Sequence, residues 1–510
     1  MDKHIAHLHP RYLALKRAQE IYHDYPIGLV LIFRVTINMF LRTAILSLSA
    51  LAVAKEMPKD DFKAAELYDS GIRHANNVAL KKESWARQEA AGMYNSAQYA
   101  EIKDKVECMN GTAIAGNNVF RCQNIDLLHF LSHAELGSTR GVGSSSWGWT
   151  SEDGREFVCI GQQDGAAFAE ITKEGRLSYL GRLPAYSVPS TWREIRGQNN
   201  LMIIGSEAEG HGIQIFDMKK LVDVDPASPV MFSNSKDLVG HFKGLPVGRT
   251  HNVVTNPETN FIYAVGAVPR TDKCKAGIIF IDITDPSNPT SPGCASQDGY
   301  VHDAQCLIYR GPDVEFEGKE ICYGYNEDSL TIYDVTNKKA PVILSSTSYE
   351  GAAYTHQGNV LDPMNQHYLL LDDEYDEYDK VGPGIPGHPI TYIWDISSLR
   401  APKQTGLYRS GAKGIDHNQY VANGFAYQSN YGTGFRVLDV RSIPSDPSGA
   451  GVKEVGFFDV YPEDDNAPGG GTVDFVGTWS SYALFKSGHI LINTMERGAF
   501  VVKMQKDYKN

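Results

Sequence analysis

The sequence predicts an all-β fold: a seven-bladed β-propeller closed by an N-terminal strand, with a helical N-terminal extension. Three observations carry that prediction. Seven short apolar texts, most ending in x-Asp, recur along the chain: "AAFAEI", "GIQIFDM", "GIIFIDI", "LTIYDV", "TYIWDI", "FRVLDV" and "AFVVKM". Each follows an opening strand that starts near a Trp or His, in "SSWGW", "STWRE", "RTHNV", "YVHDA", "YTHQG", "IDHNQ" and "GTWSS", roughly 45 to 62 residues apart, the period of four-stranded blades. The last repeat runs out at Met504 with three strands, and "NIDLLHFLSHAEL", just before the first repeat, reads as the strand that completes it. A ring closed in this way leaves little exposed strand edge.

The elements follow in order. Residues 1–54 read as a signal or targeting region. Their apolar stretch, 26–54, is interrupted by Arg34, Asn38 and Arg42, which suits a spanning helix poorly. Translation from Met39 would instead give a short basic start, an apolar middle and the small-residue exit Ala52-Val53-Ala54, with cleavage after Ala54. A signal anchor using the whole stretch is the other reading. Residues 55–107 are rich in Ala, Lys, Glu and Gln, and the spacing of Leu67, Ile72 and Val78 predicts a helical extension outside the main body. Residues 108–510 form the propeller, with "TDPSNPT", "TNKKAPV" and "SSLRAPK" as turns into fourth strands.

Charge and cysteines narrow the function classes. A net charge of -13, with no long Lys/Arg run, argues against nucleic acid and anionic membranes as partners. Extracellular small molecules, saccharides or proteins remain, with no stable membrane span in the mature form. Cys108 and Cys122 bracket a Gly/Asn-rich loop, Cys274 and Cys294 flank one strand unit, and Cys306 and Cys322 sit on segments that should be adjacent strands; Cys159 is left over. Pairings are open from sequence, that of Cys306 with Cys322 being the strongest. Disulfides of this number point to a secreted, extracellular or cell-wall protein, in which Asn110 of Asn110-Gly111-Thr112 is a glycosylation acceptor.

The segments "GYVHDAQCLIYRGPD", "GKEICYGYNEDSLTIYDVT", "YTHQGNV" followed by "LLLDDEYDE", and "DHNQYVANGFAYQSNY" carry a family resemblance. From about Cys108 to Lys503 the chain resembles the LVIVD-repeat propellers called the choice-of-anchor B family. The resemblance implies an exported propeller, often tethered by an interchangeable anchor, and no settled enzymatic activity. The chain ends soon after the last blade at "MQKDYKN", which suggests a free secreted form.

The openings also place chemistry. His251, His302, His356 and His417 hold one register in four consecutive blades, and Trp147, with Trp149 as its alternative, Trp192 and Trp479 hold it in the other three. With opening strands innermost, these rings gather at one mouth of the channel. The second strands end on the same face, bringing Asp164, Glu207, Glu327, Asp372, Asp373 and Glu496 there. Converging imidazoles predict a divalent transition metal; the tryptophans predict a stacking platform for sugar rings, with Arg193 beside Trp192 as a carboxylate partner.

Three functions follow: a binding module for an extracellular ligand, a metal-dependent lyase or hydrolase of an extracellular polymer with Glu207, Glu327, Asp373 or Glu496 as proton-transfer group, or a structural propeller binding protein at its rim. In that last reading the histidines simply staple neighbouring blades. The run "DDEYDEYD" at 372–379 reads as a solvated acidic loop; Ca²⁺ binding is the alternative, without EF-hand spacing. No phosphate loop or nucleophile elbow is present.

Overall fold

The computed structural model describes residues 55–506; the expected leader, residues 1–54, lies outside them. Seven antiparallel sheets build the fold. Blade 1 comprises Gly143–Thr150, Glu156–Gln162, Gly165–Ile171 and Leu177–Pro184, and blade 2 Ile195–Gln198, Leu201–Ile204, Ile213–Asp217 and Leu238–Phe242. Blade 3 comprises Asn252–Thr255, Phe261–Val265, Ile278–Asp282 and Thr290–Ala295, and blade 4 Asp303–Ile308, Glu320–Tyr325, Leu330–Asp334 and Val342–Tyr349. Blade 5 comprises Thr355–Val360, Tyr368–Asp373, Ile390–Asp395 and Lys403–Arg409, and blade 6 Asn418–Ala422, Phe425–Ser429, Phe435–Asp439 and Lys453–Phe458. Blade 7 takes Thr478–Tyr482, His489–Thr494 and Gly498–Met504 from the C-terminus and Ile125–Ser132 from before blade 1.

The first strands of successive blades touch in an unbroken circle, the blade 7 strand returning to that of blade 1. Closure is antiparallel, Phe500 facing Phe130 and Gly498 facing Ser132, so the spare strand of the sequence completes the last blade. Middle strands are buried on both faces, as Glu320–Tyr325 and Tyr368–Asp373 show, because neighbouring blades pack through their apolar runs. Tyr323, Tyr325, Leu369, Leu371, Tyr392 and Trp394, for example, join blades 4 and 5. Phe130 and Phe500 pack with ring centroids 4.4 Å apart, tilted by 42°, across the closure. Phe130→Ala should therefore destabilise the fold by about 3–5 kcal/mol, read as a lower urea midpoint; an unchanged midpoint would mean that closure contributes little.

Short extra strands cover three outer edges. Glu56–Pro58 pairs with blade 4, Val230–Met231 runs parallel beside blade 1, and the hairpin Thr112–Ala115 and Asn118–Gln123 extends blade 6. Disulfides join Cys108 to Cys122, Cys274 to Cys294 and Cys306 to Cys322. The last pair consists of residues directly opposite in adjacent strands. Such bonds form in an oxidising, extracellular-type environment. Cys159 is free and buried, and burial pushes its thiol far above the usual range, so it is unreactive. Among the described residues, no helix is long and apolar enough to cross a membrane.

The helical extension is shorter than its composition predicts, and it does not stand apart. After two short helical turns it forms one helix, Ile72–Ala90, entered through Gly71 at φ +78°, where an added Cβ would also meet the Arg270 side chain at 3.1 Å. Its buried residues are Asn77, Lys81, Ser84 and Trp85, at the spacing of one helical face. That face docks over the mouth of the channel.

Candidate metal centre at the channel mouth

The register of the opening strands brings the four histidines together. Ring centroids of His251 and His302 lie 4.2 Å apart, those of His302 and His356 4.2 Å, and those of His356 and His417 4.8 Å. They line one small cavity with Trp192, Trp479 and Lys81. Its free volume is about 10 Å³, room for about one water-sized sphere.

A backbone contact sets the tautomer of His302. His302 Nδ1 lies 2.9 Å from the His356 carbonyl oxygen, and His417 Nδ1 2.8 Å from that of Trp479. A carbonyl only accepts, so His302 Nδ1 carries the proton and its Nε2 keeps a lone pair; His417 Nδ1 also lies 3.0 Å from the Asn418 amide nitrogen. His356 sits beside the His417 backbone, but its Nδ1 makes no well-formed hydrogen bond and lies 3.5 Å from Asp372 Oδ1. The staple and the ligand readings are compatible at His302, where the bond between blades leaves Nε2 free to ligate. Burial holds His302, His356 and His417 well below the usual imidazole range, and the Lys81 charge adds to this. All three rings are therefore neutral.

Glu374, which the sequence reading passed over, completes the donor set. It is wholly buried, and its donor atoms lie with those of His302 and His356 within 4.8 Å of one another. His356 Nε2 is 3.8 Å from Glu374 Oε2, and His417 Nε2 is 3.9 Å from Oε1. Tyr431 donates its hydroxyl to Oε1 at 2.7 Å. Two neutral imidazoles and one carboxylate suit a divalent first-row metal such as zinc, iron or manganese.

The cation that Glu374 meets is Lys81 of the docked helix. Its Nζ lies 2.6 Å from Oε1 and 2.8 Å from Oε2. On either side of Lys81 the helix closes the mouth. Trp85 packs on Trp192 at 4.6 Å and on Trp479 at 6.2 Å, and its Nε1–H donates to the Phe475 carbonyl at 3.2 Å. His74 lies 2.7 Å from the Tyr354 hydroxyl, against Tyr300 at 5.0 Å; burial brings this imidazole down to about 3. Arg73 pairs with Asp379 and Arg87 with Asp474 at the rim.

Other residues singled out from the sequence fall as follows. Trp192 and Trp479 line the cavity, but Trp147 does not. Trp147 pairs with Cys159, three residues in from the Gln162 end of the second strand, and so lies down the channel, against Tyr420, Tyr482 and Arg196. Gly197 makes room for it, since a Cβ there would fall 2.5 Å from the indole Nε1. Arg193 lines the cavity with its guanidinium committed to His211 and the Gln162 carbonyl. Glu194, the next residue, pairs with Arg196.

Of the four proton-transfer candidates, Glu207 alone contacts the histidine arc, 2.5 Å from His251 Nδ1. Burial raises its carboxyl, but the His251 contact and nearby positive charge outweigh that and hold it at about 2. Glu327 makes two 2.8 Å bonds with Arg270, and burial lifts it to about 7. Asp373 is taken up by the Ala353 and Tyr354 N–H groups and the Tyr349 hydroxyl. Asn110 is exposed on a turn.

The acidic run 372–379 departs from its expected form: Asp372, Asp373, Glu374, Asp376 and Glu377 are buried rather than solvated. The run turns inward from the end of Tyr368–Asp373; Asp373 and Asp372 accept backbone N–H bonds from Tyr354 and Gln357 at the start of the first strand of the blade, while burial raises both carboxyls.

Glu496 accepts from the Gly477 N–H at 3.0 and 3.1 Å, and burial pushes it up to about 8. The folded protein thus keeps a proton that the unfolded chain loses near pH 4.5. This group's stabilising contribution is present below pH 4.5 and is lost as pH rises towards 8. Glu496→Gln removes the titration, and should gain on the parent by on the order of 4 kcal/mol across that window. Urea midpoints at pH 5 and pH 8 test this, and parallel shifts would contradict it.

No family model matches the chain, and no curated protein matches it. Among solved structures it is similar to Kuenenia stuttgartiensis hydrazine synthase, at 11% identity and TM-score 0.45, covering 72% of this chain and 96% of that one. It is also similar to the computationally designed Ika8 protein, at 9% identity and TM-score 0.40, covering 79% of this chain and 100% of that one. The propeller assignment rests on the strand pairing described above, not on these likenesses.

Proposed function

We propose that this chain is an exported, LVIVD-type propeller that binds a divalent transition metal through His302, His356 and Glu374, and presents it to an extracellular ligand at the channel mouth. The observation that carries this reading is the convergence of two neutral imidazoles and one carboxylate, all buried, within 4.8 Å. The three disulfides and the family resemblance support export. Trp192 and Trp479 beside the donors support a ligand with flat apolar faces, a saccharide being the simplest. Because Lys81 holds Glu374 and Trp85 covers both tryptophans, ion and ligand enter as the helix withdraws.

The test is elemental analysis of protein prepared without chelator and then loaded with zinc, manganese or iron(II). The expected result is about one ion per chain, lost in His302→Ala/His356→Ala with an unchanged circular dichroism spectrum. No ion in the parent after loading would overturn the reading and turn attention to protein partners at the rim.

A second reading, a metal-dependent lyase or hydrolase, draws on one specific observation. Glu207 and His251 form a carboxylate–imidazole hydrogen-bonded pair, 2.5 Å apart, whose ring lies 4.2 Å from that of His302 at a tilt of 55°, so a proton could be exchanged beside the ion. Glu207→Gln should then abolish turnover of a polymer substrate while metal content stays at one ion.

A further inference from the structure

A second cleft lies beside the channel mouth, between the helix Ile72–Ala90 and the lip of blade 1. Its volume is about 380 Å³, within the range of small-ligand sites. Lys82, Trp85, Ala86 and Glu89 form its helix wall, at the i, i+3, i+4 and i+7 spacing of one helical face. Tyr94, just past the helix, continues that wall, and Arg140, Gln163 and Thr191 supply the propeller side. Trp85 belongs both to this face and to the docked one, so the cleft shares a wall with the cover of the mouth.

Arg140 marks the chemistry of the site. Every other arginine among the described residues has a carboxylate or carbonyl acceptor within reach. The Arg140 guanidinium, exposed in the cleft, has none, and the Lys82 ammonium has none either. Two uncommitted cations on one cleft select an anion, and the planar fork of arginine matches a carboxylate with two parallel bonds. Neutral groups stand beside them. Gln163 Nε2 donates to Thr191 Oγ1 at 3.3 Å, which leaves the Gln163 side-chain oxygen and the Thr191 hydroxyl hydrogen for hydroxyls of a ligand. Trp85 and the Tyr94 ring add the apolar surface on which sugar rings pack.

We propose that this cleft binds an acidic saccharide: Arg140 clamps a uronate-type carboxylate, Lys82 adds charge, and Gln163 and Thr191 bond the ring hydroxyls. The proposal rests on the saccharide reading of the mouth given above and narrows it to ligands that carry a carboxylate. The cavity at the histidines, about 10 Å³, holds no sugar ring, whereas the cleft beside it does while the helix stays in place. A ligand held there lies against Trp85, the residue that covers Trp192 and Trp479, and so stands next to the metal centre before the helix withdraws.

The test is calorimetric titration of the full chain with a tetramer of uronic acid, a neutral hexose tetramer and an acidic peptide of equal charge. The uronate should bind about tenfold or more tighter than either of the others. Arg140→Ala should weaken uronate binding by about tenfold or more with an unchanged Tm, because the guanidinium holds nothing in the fold. Uronate binding should persist in His302→Ala/His356→Ala, which separates the cleft from the metal site. Loss of binding in that double variant would place the saccharide on the metal and overturn the cleft assignment. Equal binding of the neutral tetramer would overturn the carboxylate clamp and leave the broader saccharide reading standing. Equal binding of the peptide would make the cleft a protein contact, and no binding of any probe would overturn the site altogether, while the metal content of the same preparation still decides the metal reading.

Discussion

Lys81→Met is expected to cost the metal-free protein about 3–5 kcal/mol and to raise its affinity for a divalent ion by about 100-fold or more. Both effects come from one carboxylate. The Lys81 and Glu374 side chains are 6% and 0% exposed, so removing the ammonium leaves Glu374 charged, buried and without its counter-ion. A divalent ion supplies that charge from the same cavity, and no longer has to displace Lys81. Urea midpoints with chelator and with saturating zinc should therefore differ far more in the variant than in the parent, and calorimetry should show the tighter binding directly. Loss of stability with no gain in affinity would mean that Lys81 and the ion do not compete for Glu374.

Trp85→Ala should have the next largest effect, and a local one. The docked face of the helix is mostly polar, Asn77, Lys81 and Ser84, so its apolar hold is concentrated in Trp85 against Trp192 and Trp479. Truncating a buried tryptophan costs about 3–5 kcal/mol. Spent on cap docking alone, that speeds amide exchange over residues 72–90 by about 100- to 1000-fold. The blade strands should keep their protection, because their packing lies between blades and not under the cap. Exchange that accelerates equally across the blades would show that the helix is an integral part of the propeller core.

Much of the fold is legible in the sequence because blades repeat. The third-strand texts mark each blade, and a missing fourth strand at Met504 points to the spare one around Phe130. The four histidines are legible for the same reason: one register in four blades means one place in space. What escapes is whatever breaks the repeat. Trp147 looks equivalent to Trp192 and Trp479, yet it pairs with Cys159 well inside its strand pair, whereas Trp479 sits at the mouth end of its own. Lys81 escapes because the apolar periodicity points to Leu67, Ile72 and Val78, of which Ile72 is 51% exposed. The face that docks is polar because the mouth it covers is polar.

Glu374 escapes for a related reason. It sits in a run of acids whose composition reads as solvated, while the chain there turns inward and buries the carboxyl beside imidazoles. Only the folded arrangement distinguishes it from Asp372 and Asp373. Both of those accept backbone N–H bonds, from Gln357 and from Tyr354, whereas Glu374 meets Lys81, Tyr431 and the histidine edges.

X-ray absorption at the zinc edge of the loaded protein tests the central claim most directly. The expected result is a first shell of nitrogen and oxygen at about 2.0–2.1 Å, with the multiple-scattering signature of two imidazoles that disappears in His302→Ala/His356→Ala. A shell without imidazole, or a spectrum unchanged in the double variant, would contradict the assignment of His302, His356 and Glu374 as the metal site.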